Sequence, residues 1–366
     1  MVIDGLQPED IIGNRFAGEG YAFFRLPDAG TYTYIAQRGV PEELDAFARL
    51  GSKEGVVIAP FVQTATTPLI LIRPEVVLEG KVPDVSPSLP AAVGDDAAAQ
   101  RVFYDQGFDE CLRRLQTGEL RKVVYSRRLT VELSSAVANP VDLFFKACRL
   151  QPHCYVSLWW TRRTGCWLVA TPETLLSADE TAEGLWHTMA LAATMPWQGS
   201  LLPAEDWSRK NQEEQAYVVN YIKRQLDGLV EDGMRTDGRK AVRAGNVMHL
   251  RTDFSFRLKQ GVRLGALLGR LHPTPAVCGE PLLLAKSAIR AAEATPRRYY
   301  AGFSGPLGVN GHTGLYVSLR CMELADQRAM LYAGGGLLAE SRLDDEWDET
   351  CRKLQPMLQL FQATSM

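Results

Sequence analysis

The sequence predicts an α+β fold, with packed antiparallel β-sheets flanked by helices. Three observations point that way. Many short segments rich in β-branched and aromatic residues read as strands. They do not alternate with helices in the regular rhythm that a doubly wound parallel sheet requires. Long stretches at 203–228, around 280–293 and at 344–360 carry helical patterning.

Along the chain, YAFFRL, TYTYIAQ, GVVIAP and TPLILIRP are the first strand candidates. Residues 74–100 follow, with Pro74, Pro83, Pro87 and Pro90. Proline lacks the backbone N–H that regular structure needs, so this stretch reads as a connection. A helix is expected after Asp95 and Asp96, ending near Gly118. Beyond it, RKVVYSRRLTVEL, CYVSLWW, CWLVAT, HTMALAAT, NVMHLRTDFSFRL, YYAGFSGPLG, GLYVSLRCMEL and RAMLYAGGG read as strands. The sequence shows no internal repeat and no low-complexity tract.

The 366 residues suit one large domain or two ordinary ones, and 46% hydrophobic with 23% charged residues is the balance of a chain with a sizeable core. Forty basic against forty-three acidic residues leave a net charge of −3. There is no basic block to neutralise a phosphate backbone, so nucleic acid is not an expected partner. No apolar run approaches the roughly 20 residues that span a bilayer, and MVIDGLQPEDIIG lacks the features of a signal peptide. A cytoplasmic protein without a membrane partner is therefore expected. The seven cysteines are scattered without a C-x-x-C pair, and the five histidines are widely spaced. Neither a disulfide framework nor a thiolate or His-rich metal centre is indicated. A metal would have to be held by carboxylates, which favours a hard ion such as Mg²⁺.

Four sets of residues carry chemistry. Lys122 opens KVVYSR and shares a face with Val124 and Ser126. On an interior face the amine is desolvated and becomes usable as a base, whereas on an edge strand it is simply a solvated lysine. Glu173 follows the apolar run WLVA in ATPETLLS. It is either an acid that keeps its proton in a buried setting or a glutamate at the start of a helix. Glu214 lies four residues before Val218 and so points along an apolar stripe, while Glu346, Glu349 and Lys353 share one face of a second helix. Carboxylates from two helices converging on Mg²⁺ would account for charge beside the core, and a Glu349–Lys353 surface pair would account for it too. Arg320 at the end of LYVSLR and the glycines of AGGG at 333–336, read as ending the strand MLY, offer a guanidinium and open backbone N–H groups to a carboxylate. His249 and His272 are further polar candidates. Together these supply a base, an acid, a Mg²⁺ site and carboxylate receptors, an inventory for addition or elimination on a small dianion.

The order KVVYSR, ATPETLLS, ALAAT, KNQEEQ, NVMHLRT, LHPTPAVCGEP, YYAGFSG, LYVSLRC, YAGGG and DDEWDETCRKL resembles the chorismate-utilising enzymes over about 240 residues. The resemblance implies an anthranilate synthase component I-like fold. Residues 1–95 would form the variable N-terminal part of that fold and 96–366 the chorismate-binding catalytic domain. Lysine at 122 is similar to the water-using members, since ammonia-using members carry glutamine there. The lysine nucleophile of the aminodeoxychorismate enzymes is absent at Ala192 and Ala193, and LHPTPAVCG is closest to the isochorismate synthase pattern. The implied activity is a Mg²⁺-dependent isochorismate synthase acting on chorismate, of the menaquinone type by the resemblance of YAFFRLPDAGTYTYI, with no glutaminase subunit. The alternatives are a salicylate synthase, a siderophore-pathway isochorismate synthase, and a non-catalytic chorismate-binding protein.

By that resemblance Lys122 is the general base and Glu173 the general acid. Glu214 and Glu349 ligate Mg²⁺, with Glu346 close by. Arg320, the backbone around Gly334 and Lys353 hold the enolpyruvyl carboxylate, and Ala193, Thr194, His249 and Ala276 line the pocket. Two departures stand out. Ala193 replaces the family's glycine, and its methyl is expected to narrow the approach to substrate. Ser208-Arg209-Lys210-Asn211 replaces Ser-Glu-Lys-Asp, which is expected to weaken Mg²⁺ affinity.

Overall fold

A computed structural model describes residues 18–83, 91–135, 140–244 and 247–362. These form two ten-stranded sheets in which each strand pair is antiparallel. In spatial order the first sheet runs Gly279–Glu280, Lys122–Leu133, Arg328–Leu337, Cys321–Ala325, Gly165–Thr171, Tyr155–Thr161, Gly20–Arg25, Thr31–Gln37 and Val76–Lys81, and Ala92–Asp95 also pairs with Lys122–Leu133. The second runs Arg235–Thr236, Val247–Arg257, Leu185–Pro196, Thr174–Ala178, Gly314–Val317, Phe303–Leu307, Gly55–Ala59, Leu69–Ile72 and Glu42–Leu44, with Lys240–Ala244 beside Val247–Arg257. The helices are α1 (Ala97–Gln116), α2 (Pro140–Leu150), α3 (Arg209–Leu226), α4 (Leu264–Leu271), α5 (Leu282–Ala292) and α6 (Leu343–Leu358). None is long and apolar enough to cross a membrane.

Side-chain alternation explains why the first sheet's central strands read as unbroken apolar runs. Trp167 and Val169 join the main core together with second-sheet residues such as Val57 and Phe254, whereas Leu168 and Ala170 join a second core under α2. With both faces covered there is no polar face to show the period. The α+β architecture expected from the sequence is the one observed.

Three local expectations need correction. The proline-rich stretch is not only a connection: Val76–Lys81 and Ala92–Asp95 are strands within it, and residues 84–90 lie outside the described residues. Pro74 and Pro83 flank the first of these strands, where a missing N–H breaks no ladder bond. GLYVSLRCMEL is two strands, Gly314–Val317 in the second sheet and Cys321–Ala325 in the first. The glycines 334–336 do not end a strand. They lie inside Arg328–Leu337, opposite Ser126, Tyr125 and Val124.

Candidate active site

The site forms where the chain crosses between the two sheets. Lys122–Leu133 and Arg328–Leu337 provide a floor on which Gly334, Gly335 and Gly336 carry no side chains. Helix α3, capped at its start by the Ser208 hydroxyl, brings in Glu214, and α6 brings in Glu346, Glu349 and Lys353. Glu173 comes from the two-residue link between Gly165–Thr171 and Thr174–Ala178, and not from a helix start. Of the thirteen residues singled out by sequence, nine line one cavity of about 70 Å³: Glu173, Ala193, Thr194, Glu214, His249, Ala276, Arg320, Gly334 and Lys353. Lys122, Glu346 and Glu349 are outside its lining, but Lys122 lies 3.1 Å from Glu214 and Glu349 lies 2.7 Å from Lys353, both of which line it. His272 is elsewhere, bonded through Nε2 to the Pro60 carbonyl at 3.1 Å.

Lys122 is fully buried, which excludes a solvated edge position. Its Nζ lies 3.1 Å from Glu214 Oε1 but is aligned for a hydrogen bond to no atom among the described residues. An amine so placed has capacity left for a ligand or a water. Gly336 makes the arrangement possible. A Cβ there would collide with Glu214 Oε1 and stand 3.0 Å from Lys122 Cε.

Glu173 is 4% exposed. Burial pushes its carboxyl up to about 8 from an ordinary 4.5, against the opposing charges of Lys122, Lys353 and Arg320. At neutral pH it therefore holds a proton that it can donate.

Arg320 is held in the left-handed region, at φ 47°, in the three-residue crossing between the sheets. The sequence placed it at a strand end, but it lies outside both strands. Its Nη2 donates to His249 Nε2 at 3.1 Å. Because a guanidinium only donates, Nε2 must accept, so the His249 proton sits on Nδ1 and is given to the Ala193 carbonyl at 3.0 Å. Burial and the charges of Arg320 and Lys353 push His249 down to about 3, which keeps it neutral. Arg320 Nη1 is buried without a hydrogen-bond partner among the described residues. An unpaired guanidinium N–H beside a cavity is a receptor for a carboxylate.

Ala193 takes φ 62° at a bulge between Ala192 and Thr194, a conformation that favours glycine. It belongs to a small apolar cluster with Ala204, Trp207, Met248 and Leu250. The departure from the family's glycine therefore acts on the backbone as well as on the cavity wall. Arg209 is solvent-exposed and pairs with Glu213, so that substitution faces away from the carboxylates.

The glutamates pass a chemical test for a hard divalent ion. A Cβ on Gly335 would stand 3.0 Å from Glu346 Oε2 and 3.3 Å from Glu349 Oε1, and one on Gly336 would meet Glu214. Three carboxylates thus share one side-chain-free strip of strand, an all-oxygen donor set of the kind Mg²⁺ prefers. Among the described residues no three such side chains stand close enough together to hold a metal ion. Each faces a lysine instead: Glu214 faces Lys122, Glu346 faces Lys210 at 2.7 Å, and Glu349 faces Lys353 at 2.7 Å.

Sequence reasoning missed Tyr300 and Tyr332, whose rings stack 5.5 Å apart in the cavity wall, together with Val124, Leu191 and Leu319. Apolar strand residues carry no local mark that separates a pocket wall from core. It also missed Lys210 as a partner of Glu346.

A buried acid, a buried amine and an unpaired guanidinium N–H are thus brought together, a set of groups able to hold an anion and move protons. The chain belongs to the chorismate-utilising enzymes, since the family model described as "Chorismate binding enzyme" matches residues 77–362. It is 33% identical over 286 residues to the salicylate biosynthesis isochorismate synthase of Pseudomonas aeruginosa, covering 76% of this chain and 59% of that one. The chain thus matches about three fifths of that relative's length. In fold it is similar to a putative 2,3-dihydroxybenzoate-specific isochorismate synthase, DhbC, from Bacillus anthracis (TM-score 0.78, 24% identity, 97% of this chain and 99% of that one). It is also similar to MenF, the menaquinone-specific isochorismate synthase from Escherichia coli (TM-score 0.77, 19% identity, 94% and 89%).

Proposed function

We propose that the protein is an isochorismate synthase that interconverts chorismate and isochorismate. The observation that carries this reading is the pairing, at one cavity, of a fully buried Lys122 amine with a Glu173 carboxyl that is protonated at neutral pH. Lys122 takes a proton from the water that adds at C2 of the ring. The two ring double bonds each shift by one position, and Glu173 donates its proton to the hydroxyl leaving C4. One water enters and one leaves, so the change is an isomerisation. It is reversible because acid and base exchange roles. Arg320, oriented by His249, receives a carboxylate through Nη1. Glu214 and Glu349, with Glu346 beside them, would hold Mg²⁺, which when bound neutralises a substrate carboxylate.

The menaquinone route is assigned on the resemblance of YAFFRLPDAGTYTYI. The relatives named above are described as serving menaquinone, salicylate and 2,3-dihydroxybenzoate synthesis. Restoring menaquinone to a strain that lacks its own enzyme tests that assignment.

The test of the reaction is product analysis of purified protein with chorismate and Mg²⁺, with Lys122→Ala in parallel. The expected result is isochorismate without pyruvate, abolished by EDTA and reduced roughly 10²-fold or more in the variant. Salicylate and pyruvate in equal amounts would replace this reading with the salicylate synthase. Absence of turnover would leave a chorismate-binding protein.

A further inference from the structure

Each of the three glutamates faces a lysine, but the three lysines are held differently. Lys122 is fully enclosed. Lys353, 21% exposed, is bonded both to Glu349 and to the Gly334 carbonyl at 2.9 Å, so its place is fixed by the strand. Lys210 is the most exposed of the three at 30%, and among the described residues its Nζ donates to Glu346 alone. It lies at the start of α3, one turn before Glu214.

Glu346 is only 3% exposed. A carboxylate so buried needs compensation, and an unpaired charge there destabilises the fold. Its Oε1 accepts from Lys210 and also from the Ser341 hydroxyl at 2.7 Å, while its Oε2 lies over Gly335, as does Glu349 Oε1. Ser341 keeps Oε1 bonded when the lysine departs, and α3 leaves Lys210 a way to solvent. The field at Lys210 comes from the whole cluster. Burial disfavours its ammonium, but the charges of Glu346, Glu214 and Glu349 outweigh this and hold it above the ordinary lysine value.

Lys210 and Glu346, 2.7 Å apart, already compensate each other in the metal-free protein. A divalent ion must bind against the field of the lysines. We infer that Lys210 is a built-in counter-cation that competes with the divalent ion for Glu346 and so sets how tightly the free protein holds that ion. This rests on the reading of the glutamates as a Mg²⁺ site. When the ion binds, the Glu346 charge is shared with it, and Lys210 turns out to solvent.

The test needs no substrate. Mn²⁺ binding is measured from the free-ion EPR signal, and Mg²⁺ binding by calorimetry, on wild-type protein and on Lys210→Met and Lys210→Gln. The variants are expected to bind Mn²⁺ roughly tenfold more tightly or better, because the competing charge is gone. Their metal-free melting temperature is expected to fall and to be restored by metal, since Glu346 then lacks its partner. Unchanged or weaker binding in both variants would overturn the inference and make Lys210 a group that orients Glu346 for the ion. If neither variant folds, the wild type still decides the matter. Labelling of Lys210 by an amine-specific reagent, read by mass spectrometry, rises with Mg²⁺ if the lysine is displaced. Constant or reduced labelling sinks the idea. Wild-type protein that makes isochorismate while failing these tests loses only this inference. Wild-type protein that binds no divalent ion loses the metal site as well.

Discussion

Replacing Glu173 with glutamine should stabilise the protein while abolishing its turnover, and the size of the effect should depend on pH in a specified way. The carboxyl is raised to about 8 in the folded chain against an ordinary 4.5. Below pH 4.5 folded and unfolded chains both carry the proton, and there is no penalty. Between 4.5 and 8 the folded state keeps a proton that the unfolded chain releases, so folding takes up a proton and stability falls as pH rises. Each pH unit in that window is worth about 1.4 kcal/mol. At pH 7 the penalty is therefore roughly 3 kcal/mol, and above pH 8 it stays constant. Glutamine has a similar shape and no such penalty. Urea unfolding of wild type and Glu173→Gln at pH 5, 6, 7 and 8 should show a difference that widens in favour of the variant by about 1.4 kcal/mol per unit. In assays carried beyond that range, wild-type kcat/KM should fall above about pH 8 as the acid loses its proton. Stability curves that run parallel across this range would refute the reasoning, because Glu173 would then ionise equally in both states.

Other substitutions test other parts of the site. Ala193→Gly relieves a left-handed backbone that costs alanine about 1–2 kcal/mol but adds freedom to the unfolded chain, so a net gain of up to about 1 kcal/mol is expected by thermal unfolding. A loss of 1 kcal/mol or more would show that the alanine is unstrained there. Gly336→Ala should displace the flexible end of Glu214 rather than the strand. Circular dichroism should therefore be unchanged while the Mg²⁺ needed for half-maximal rate rises. Arg320→Gln should lower kcat/KM by 10²-fold or more, about 3 kcal/mol, because a buried receptor loses its charge. If steady-state kinetics show less than a tenfold change, the carboxylate sits elsewhere.

Most strands and the long helices were legible because local patterning and tertiary fate agree for them. TYTYIAQ is the strand Thr31–Gln37, and the helix expected after Asp96 is α1. One failure arises because nothing local shows where a chain leaves one sheet for another. GLYVSLRCMEL looks continuous, yet Arg320 turns through positive φ within it. AGGG has the composition of a turn, but its glycines stay in the ladder because helical carboxylates occupy the space their side chains would fill. Most of the site residues were marked by residue type and position, the family resemblance gave them roles and added Ala193, Thr194 and Ala276, and nine of them line one cavity. What the resemblance did not carry was their pairing, namely which lysine faces which glutamate and which histidine nitrogen holds Arg320.

The crossing at Ser318–Arg320 has a mechanical consequence. Arg320, proposed above to receive a carboxylate, sits on a joint between the two sheets, and its brace, His249, belongs to the second sheet, while the glycine floor belongs to the first. Neither sheet alone contains a working half. Sliding one layer against the other by a single residue would part Arg320 from its brace before either hydrogen-bond ladder broke. Catalysis should therefore fade ahead of any spectroscopic sign of melting. Turnover then becomes a finer gauge of how the layers are registered than circular dichroism, and slow shear between the layers would be felt first as loss of grip on the ligand.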